Sequence, residues 1–262
     1  MAETKLQKTP FVKQLAANDR PTRDRAVASL QTYLSSRRDF TKIEFLKLWK
    51  GLFYCHAGMW LSDRPRTQQR LVIDLARLLD SMEIKNADLF LEAFWITIAR
   101  EWNGVDVLRM DKFLLLVRGY LASSFRYLDA RKWEKDLVRR FMNLLREIPL
   151  SPKDMKVPNG LRYHLIDIYV DELEKLKPEE MKIPMPIATL LSPFEELVLA
   201  SPTKLVRTRS KELLCDGRLA DWGYDKAPGA VKSRRKEDAE GEDSDDDEEM
   251  SDEGEEWGGI DD

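Results

Sequence analysis

The sequence predicts an all-α protein: a curved HEAT-like stack of antiparallel helix pairs, followed by an extended C-terminal segment and a disordered acidic tail. Apolar residues recur at three- and four-residue spacing in one segment after another, the period of an amphipathic helix. No window shows the strict apolar–polar alternation of a half-buried strand. Successive helix pairs return at roughly the 40-residue period of helical arrays, without a residue-level repeat, and short connections make neighbouring helices antiparallel. The expected stack is right-handed with one continuous core. The expected organisation is a helical domain over 1–215, a strap with a basic cluster over 216–236 and an acidic tail over 237–262.

Phe11 to Ala17 reads as a short helix, ended by Asn18-Asp19. Pro21 opens the next, with Ala26, Val27, Leu30 and Leu34 on one face and Arg37-Arg38 at its close. The third runs from Thr41 to Ala57. Phe45, Leu48, Trp49 and Leu52 form its apolar stripe, widened by Leu46 and Phe53, with Glu44, Lys47, Lys50, Gly51 and Tyr54 opposite. Ala57-Gly58 closes it and Met59-Trp60-Leu61 forms an apolar turn, which either plugs the core or meets a partner. Ser62 or Asp63 then caps a helix to Met82 with Leu71, Leu75, Leu78 and Met82 as its stripe. Asn86 caps a helix from Ala87 to Trp102 that is apolar nearly all round and is therefore placed centrally.

Asp111 is the expected cap of a helix holding Phe113, Leu114, Val117, Leu121 and Leu128. Arg131 to Ile148 is the next, with Trp133, Leu137, Phe141, Leu144 and Leu145 inside and a basic outer face. Pro149, Pro152 and Pro158 mark a loop before a helix from Asn159 to Lys177. Ser192-Pro193-Phe194-Glu195 has the spacing of a capping box, and Ser201-Pro202 repeats the cap-plus-proline device for a last helix, Thr203 to Leu214. The segment from Asp216, with Trp222 and Tyr224, reads as a strap laid back along the helices; the sharper alternative is a partner-binding peptide.

The net charge of −4 conceals an asymmetry. Residues 237–262 hold 16 Asp and Glu and no Lys or Arg, which leaves 43 basic against 31 acidic residues in 1–236, or +12. A basic body with an acidic tail points to nucleic acid or to charged protein partners. So long a run of like charge cannot bury enough surface to fold. Cys55 and Cys215 are too few and too isolated for a disulfide framework, so a reducing compartment is expected. The start MAETKLQKTPF lacks the apolar stretch of a secretory signal, and no segment is long and apolar enough to span a bilayer; a soluble chain without a membrane role is expected.

The residue patterns of catalysis are missing. Cys55 and His56 are sequence neighbours, which on a helix point about 100° apart and do not face each other. With His164 and Cys215 they lack the paired spacing of zinc ligands. Neither GxxxxGK[ST] nor GxGxxG occurs. Glu179-Glu180 and Glu195-Glu196 fit helix starts, where acids favour the dipole. No enzyme activity, no cofactor and no small-molecule substrate are expected. Lys and Arg faces are better candidates, since they would contact phosphates in a salt-dependent manner. The candidate RNA contacts are Lys47 and Lys50 beside Tyr54; Arg131, Lys132, Lys135, Arg139 and Arg140; and Arg207, Arg209 and Lys211. Each face also has the plain reading of a solvated helix surface. Candidate partner-binding residues are Tyr54, Met59, Trp60, Trp222 and Tyr224. Lys232, Arg234, Arg235 and Lys236 suit nuclear import, and Ser244 before Asp245-Asp246-Asp247 suits an acidophilic kinase.

The run LWKGLFYC, the Met-Trp turn and SDRP within Thr41–Pro65 resemble the eukaryotic nucleolar ribosomal-RNA-processing family, the Nop52 family. The likeness extends more loosely from Phe11 to about Leu214 and includes FVKQLAANDRPTRDRAVASLQTYL. His56-Ala57-Gly58 departs from it, standing where an aromatic residue or Met is expected. The resemblance implies a nucleolar, non-catalytic scaffold for assembly of the large (60S) ribosomal subunit. It implies a need for this protein in precursor rRNA processing, with other assembly factors, pre-rRNA and ribosomal proteins as partners. The alternative class is an acidic-tailed chaperone for histones or ribosomal proteins, which would need the tail where a scaffold needs the body.

Overall fold

The computed structural model describes residues 14, 19–36, 38–59, 65–176 and 183–224, and for 20, 54–59 and 65–68 the backbone alone. The expected Phe11–Ala17 helix apart from Gln14, Trp60, the 232–236 cluster and Ser244 lie outside the described residues. Among the described residues there are ten α-helices and no strand. They are α1 (Arg20–Leu34), α2 (Lys42–Met59), α3 (Pro65–Ala76), α4 (Ile84–Glu101) and α5 (Val107–Asp129). Then follow α6 (Lys135–Glu147), α7 (Asn159–Glu174), α8 (Ile187–Ala200), α9 (Lys204–Leu214) and the short α10 (Gly217–Asp221). No helix among them is long and apolar enough to cross a membrane.

From α2 to α7, each helix packs on the next but one: α2 on α4, α4 on α6 and α6 on α8; α3 on α5, α5 on α7 and α7 on α9; α8 also packs on α9, and α1 packs on residues 77–81. The chain thus builds two rows of helices, the even row and the odd row, and the apolar core fills the space between them. Rings from both rows meet there. Trp49 of α2 lies 5.0 Å from Phe90, 4.8 Å from Phe94 and 5.0 Å from Tyr120 of α5, and its indole N–H donates to the Phe90 carbonyl at 3.0 Å. Further along, Tyr169 of α7 packs edge-on against Phe194 of α8 and donates to the Leu190 carbonyl at 2.8 Å. Phe90, Phe94 and Trp95 have no exposed surface, in keeping with the central place expected for α4.

Local chemistry sets the boundaries, not always where the sequence pattern put them. Asp19 caps α1 by accepting from the Thr22 N–H at 2.9 Å, with Pro21 in the first turn. A reciprocal capping box opens α2: the Thr41 N–H donates to Glu44 at 2.9 Å, and the Glu44 N–H to the Thr41 hydroxyl at 3.3 Å. Ala57-Gly58 does not close α2, which continues to Met59, and Gly51 is buried rather than solvent-facing. The helix expected to reach Met82 ends at Ala76 and tightens into a 3₁₀ turn, Arg77–Ser81.

Asn86 is not a cap. It is buried inside the first turn of α4, accepts from the Phe40 N–H at 3.2 Å and donates to the Arg38 carbonyl at 3.0 Å. It pins the connection into α2 from 46 residues away. α5 begins at Val107, not Asp111, and α6 begins at Lys135, not Arg131. Lys132 and Trp133 both have φ of 56°, a left-handed pair that no helix accommodates. Burial of the Trp133 ring holds this turn.

The expected box at Ser192 is an interior feature of α8. Pro193 cannot donate to the Thr189 carbonyl, and the Ser192 hydroxyl donates to it instead at 2.7 Å. Glu195 and Glu196 therefore lie within α8 rather than at its start. α9 starts after Thr203, because Ser201 is buried in the preceding turn. Gly119 lies where α5 crosses α3: a Cβ there would stand 2.5 Å from Val72 Cγ1. Gly119→Ala is expected to destabilise the protein by about 1–3 kcal/mol through overpacking, read as a lowered midpoint in urea denaturation.

Candidate functional site

Ion pairs bridge neighbouring helices within each row. In the even row, Lys42 meets Glu92 at 2.7 Å, Arg140 meets Asp88 at 3.0 Å, and Arg146 meets Glu196 at 2.7 Å. In the odd row, Arg118 meets Glu172 and, at 3.5 Å, Asp171, while Arg209 meets Asp167 at 3.5 Å. Apart from the pair with the buried Glu172, these pairs are exposed and contribute about 0–1 kcal/mol each. Their larger effect is on charge, since an arginine holding a carboxylate of its own chain has less positive field to offer a polyanion.

This sorts the cations expected to contact RNA. Arg139 is paired with Asp136 at 3.0 Å, and Arg140 with Asp88. Arg207 is turned back onto the carbonyls of Ser201, at 2.8 Å, and Pro202, at 2.9 Å. Arg209 lies over the Tyr163 ring at 4.8 Å in addition to its pair with Asp167. Arg131 stacks on Tyr127 at 3.4 Å and donates to the Tyr127 carbonyl. Arg131 and Lys132 belong to the turn before α6, not to its face. Lys47, Lys132, Lys135 and Lys211 are exposed and Lys50 is half-buried. The structure does not bring Lys47, Lys132 and Lys211 to one place, since they stand on α2, on the turn before α6 and on α9.

Two cations that the sequence reading did not single out complete a cluster. Arg77, in the 3₁₀ turn, and Arg126, near the end of α5, are exposed and face Asp80 together with Arg131. Partial desolvation pushes the carboxyl of the exposed Asp80 up, and the three guanidinium groups pull it down by a smaller amount. Lys132 projects from the left-handed turn beside them, and Lys135 follows at the start of α6. Among the described residues, no carboxylate stands within ion-pair distance of Arg77, Arg126, Arg131, Lys132 or Lys135; Asp129 and Glu134 flank the turn. This edge of the stack therefore carries a cluster of positive charge, the chemistry that pairs with closely spaced negative groups such as backbone phosphates. Arg77 and Arg126 are 49 residues apart, and only the packing of the 3₁₀ turn on α5 joins them.

The other candidates are placed as follows. Tyr224 is buried and its hydroxyl donates to Glu195 at 2.9 Å, while Trp222 is half-buried. Tyr54 and Met59 belong to α2, but their side chains, like those of Cys55 and His56, lie outside the described residues. The His164 Nε2 meets the Leu114 carbonyl at 2.9 Å, so that nitrogen carries the proton, and burial lowers the imidazole pKa. This imidazole ties α7 to α5.

A family model described as the nucleolar protein Nop52 matches residues 6–260. The chain belongs to the Nop52 family. Over 177 residues it is 40% identical to human ribosomal RNA processing protein 1 homolog B, which covers 65% of this chain and 23% of the human protein. Human homolog A is also 40% identical over 177 residues, 65% of this chain and 38% of that protein. The Drosophila melanogaster homolog is 31% identical over 175 residues, 64% of this chain and 25% of the fly protein. This Nop52-family chain therefore spans well under half the length of these relatives. In it, LWKGLFYC lies on α2, where Trp49, Leu52 and Phe53 are core residues. The stretch that carries the resemblance holds the two rows together.

Proposed function

We propose that this Nop52-family protein is a non-catalytic scaffold in nucleolar assembly of the large ribosomal subunit, needed for precursor rRNA processing. It docks other assembly factors and contacts pre-rRNA. The names of the relatives support the processing role. The observation that carries the RNA contact is the Arg77, Arg126, Arg131, Lys132 and Lys135 edge, whose cations hold no carboxylate of the described chain at ion-pair distance. Nothing in that arrangement reads base edges, so backbone and shape are the recognised features.

The test is binding of the full chain to transcribed fragments of large-subunit precursor rRNA across a salt titration. Arg77, Arg126, Lys132 and Lys135 are changed together to Glu. Arg139 and Arg140 stay unchanged, because reversing them would set like charges against Asp136 and Asp88. The expected result is a loss of at least about tenfold in affinity at low salt, with the log–log salt slope shallower by about one for each lost phosphate contact. An unchanged slope and affinity in a variant with wild-type thermal unfolding would refute the contact.

A further inference from the structure

Consecutive helices are antiparallel, so the connections 102–106, 148–158 and 201–203 share one edge of the stack, opposite the cationic edge. The structure joins them side by side. The Asn159 amide donates to the Thr203 hydroxyl at 3.4 Å, and a Cβ at Gly160 would sit 3.2 Å from the Trp102 indole nitrogen. Five of the nine large apolar side chains exposed among the described residues lie along this edge: Val107, Leu108, Met155, Leu199 and Leu205. Val107 and Leu108 are 90% and 85% exposed in the first turn of α5, and Met155 is 71% exposed in the middle connection. Single exposed apolar residues need no explanation, whereas a row of them rimmed by polar groups does.

Two arginines make this row rigid. The buried Arg162 donates through Nη1 to the Val157 carbonyl and Asn159 Oδ1, and through Nη2 to the carbonyls of Ser151 and Asp154, all at 2.7 Å. Arg207 clamps 201–202 through two further carbonyls. The middle and last connections are thereby held in one shape, which lowers the entropy cost of binding.

We infer that this edge is a docking surface for a protein segment bearing aliphatic anchor residues beside acidic ones. The acidic complement follows from Lys153 and Lys156, exposed on the middle connection, and Lys204, exposed at the start of α9; the carboxylates on these connections are Asp154 and Asp106, and Asp106 is paired with Arg109 at 2.8 Å. RNA fits poorly, because single-stranded bases stack on aromatic rings and this edge presents aliphatic groups. A second copy fits poorly too, since an isologous contact would set the three lysines of each copy in one interface. The inference names the partner surface within the scaffold reading, and its test is independent of RNA binding.

The probe is a displayed library of random peptides selected on the immobilised full chain; the enriched peptides are synthesised, labelled and titrated by fluorescence anisotropy. The expected peptides combine Leu, Ile or Met anchors with Asp or Glu. Val107→Ser with Leu108→Ser should weaken them at least about tenfold, and Lys153→Glu with Lys156→Glu and Lys204→Glu by a similar factor. The Arg77, Arg126, Lys132 and Lys135 charge reversals should leave their affinity unchanged. Should the Val107/Leu108 variant unfold, Met155→Ser with Leu205→Ser takes its place. Basic or charge-free peptides, affinity indifferent to both apolar pairs, or loss of precursor-rRNA binding on changing Val107 and Leu108 would overturn the inference. So would a dimer in sedimentation velocity that those two changes dissolve. Failure of the cationic-edge variant to lose RNA would count against the RNA contact alone.

Discussion

Trp49→Ala is expected to cost about 3–5 kcal/mol of folding free energy, the range for deleting a large aromatic side chain from a packed core. Trp49 is 1% exposed, touches three rings from α4 and α5, and gives its N–H to the Phe90 carbonyl. Its removal opens a void between the two rows and frees α2 from both. With native stabilities of about 5–15 kcal/mol, such a loss is a large share of the whole. Urea denaturation followed by circular dichroism is the measurement, with Trp49→Phe as the intermediate that keeps a ring and loses the donor. A Trp49→Ala midpoint equal to wild type would mean that α2 is not docked as described.

Arg162→Met is expected to be the second most damaging single change, at about 3 kcal/mol or more. Methionine retains most of the aliphatic stem, so the loss isolates the guanidinium. That group satisfies three backbone carbonyls and the Asn159 side chain, and an acceptor left buried and unsatisfied costs about 1–3 kcal/mol. The loss should be local as well as global. Amide hydrogen exchange of residues 151–158 should accelerate strongly, while the amides of α4, two elements away, keep their protection. Uniform acceleration across both regions would show that Arg162 contributes to the core and not to the shape of this connection.

The helical class and the central helix could be read from hydrophobic period, because a stripe of Leu, Phe and Trp records which side of a helix faces the core. The boundaries that went astray share one cause. Asn86 and Ser192 have the side chains of caps, and each spends its own on a tertiary or proline-related need that no local pattern reveals, while Ser201 is buried in the turn before α9. The left-handed pair at Lys132 and Trp133 is illegible for a related reason: burial of the Trp133 ring in the core, not glycine, stabilises it. The candidate cations were only half legible. Sequence shows how many Lys and Arg a helix carries, but the carboxylates that neutralise Arg140 and Arg209 arrive from neighbouring helices. Arg77 and Arg126 become neighbours only once the odd row has formed.

The next-but-one packing of the helices also bears on how the chain comes off the ribosome. Every helix from α4 to α9 has a row neighbour among those already synthesised, and α4 to α7 gain a second when the next helix of their row follows. A nascent chain can therefore add each new helix to a finished template, closing loops of similar and modest length each time. Growth is vectorial, with the most recently made end always the least supported. The clamp by which Arg218 of α10 reaches Asp171, at 3.2 Å, and Glu174, at 2.5 Å, comes last and fastens that end to α7.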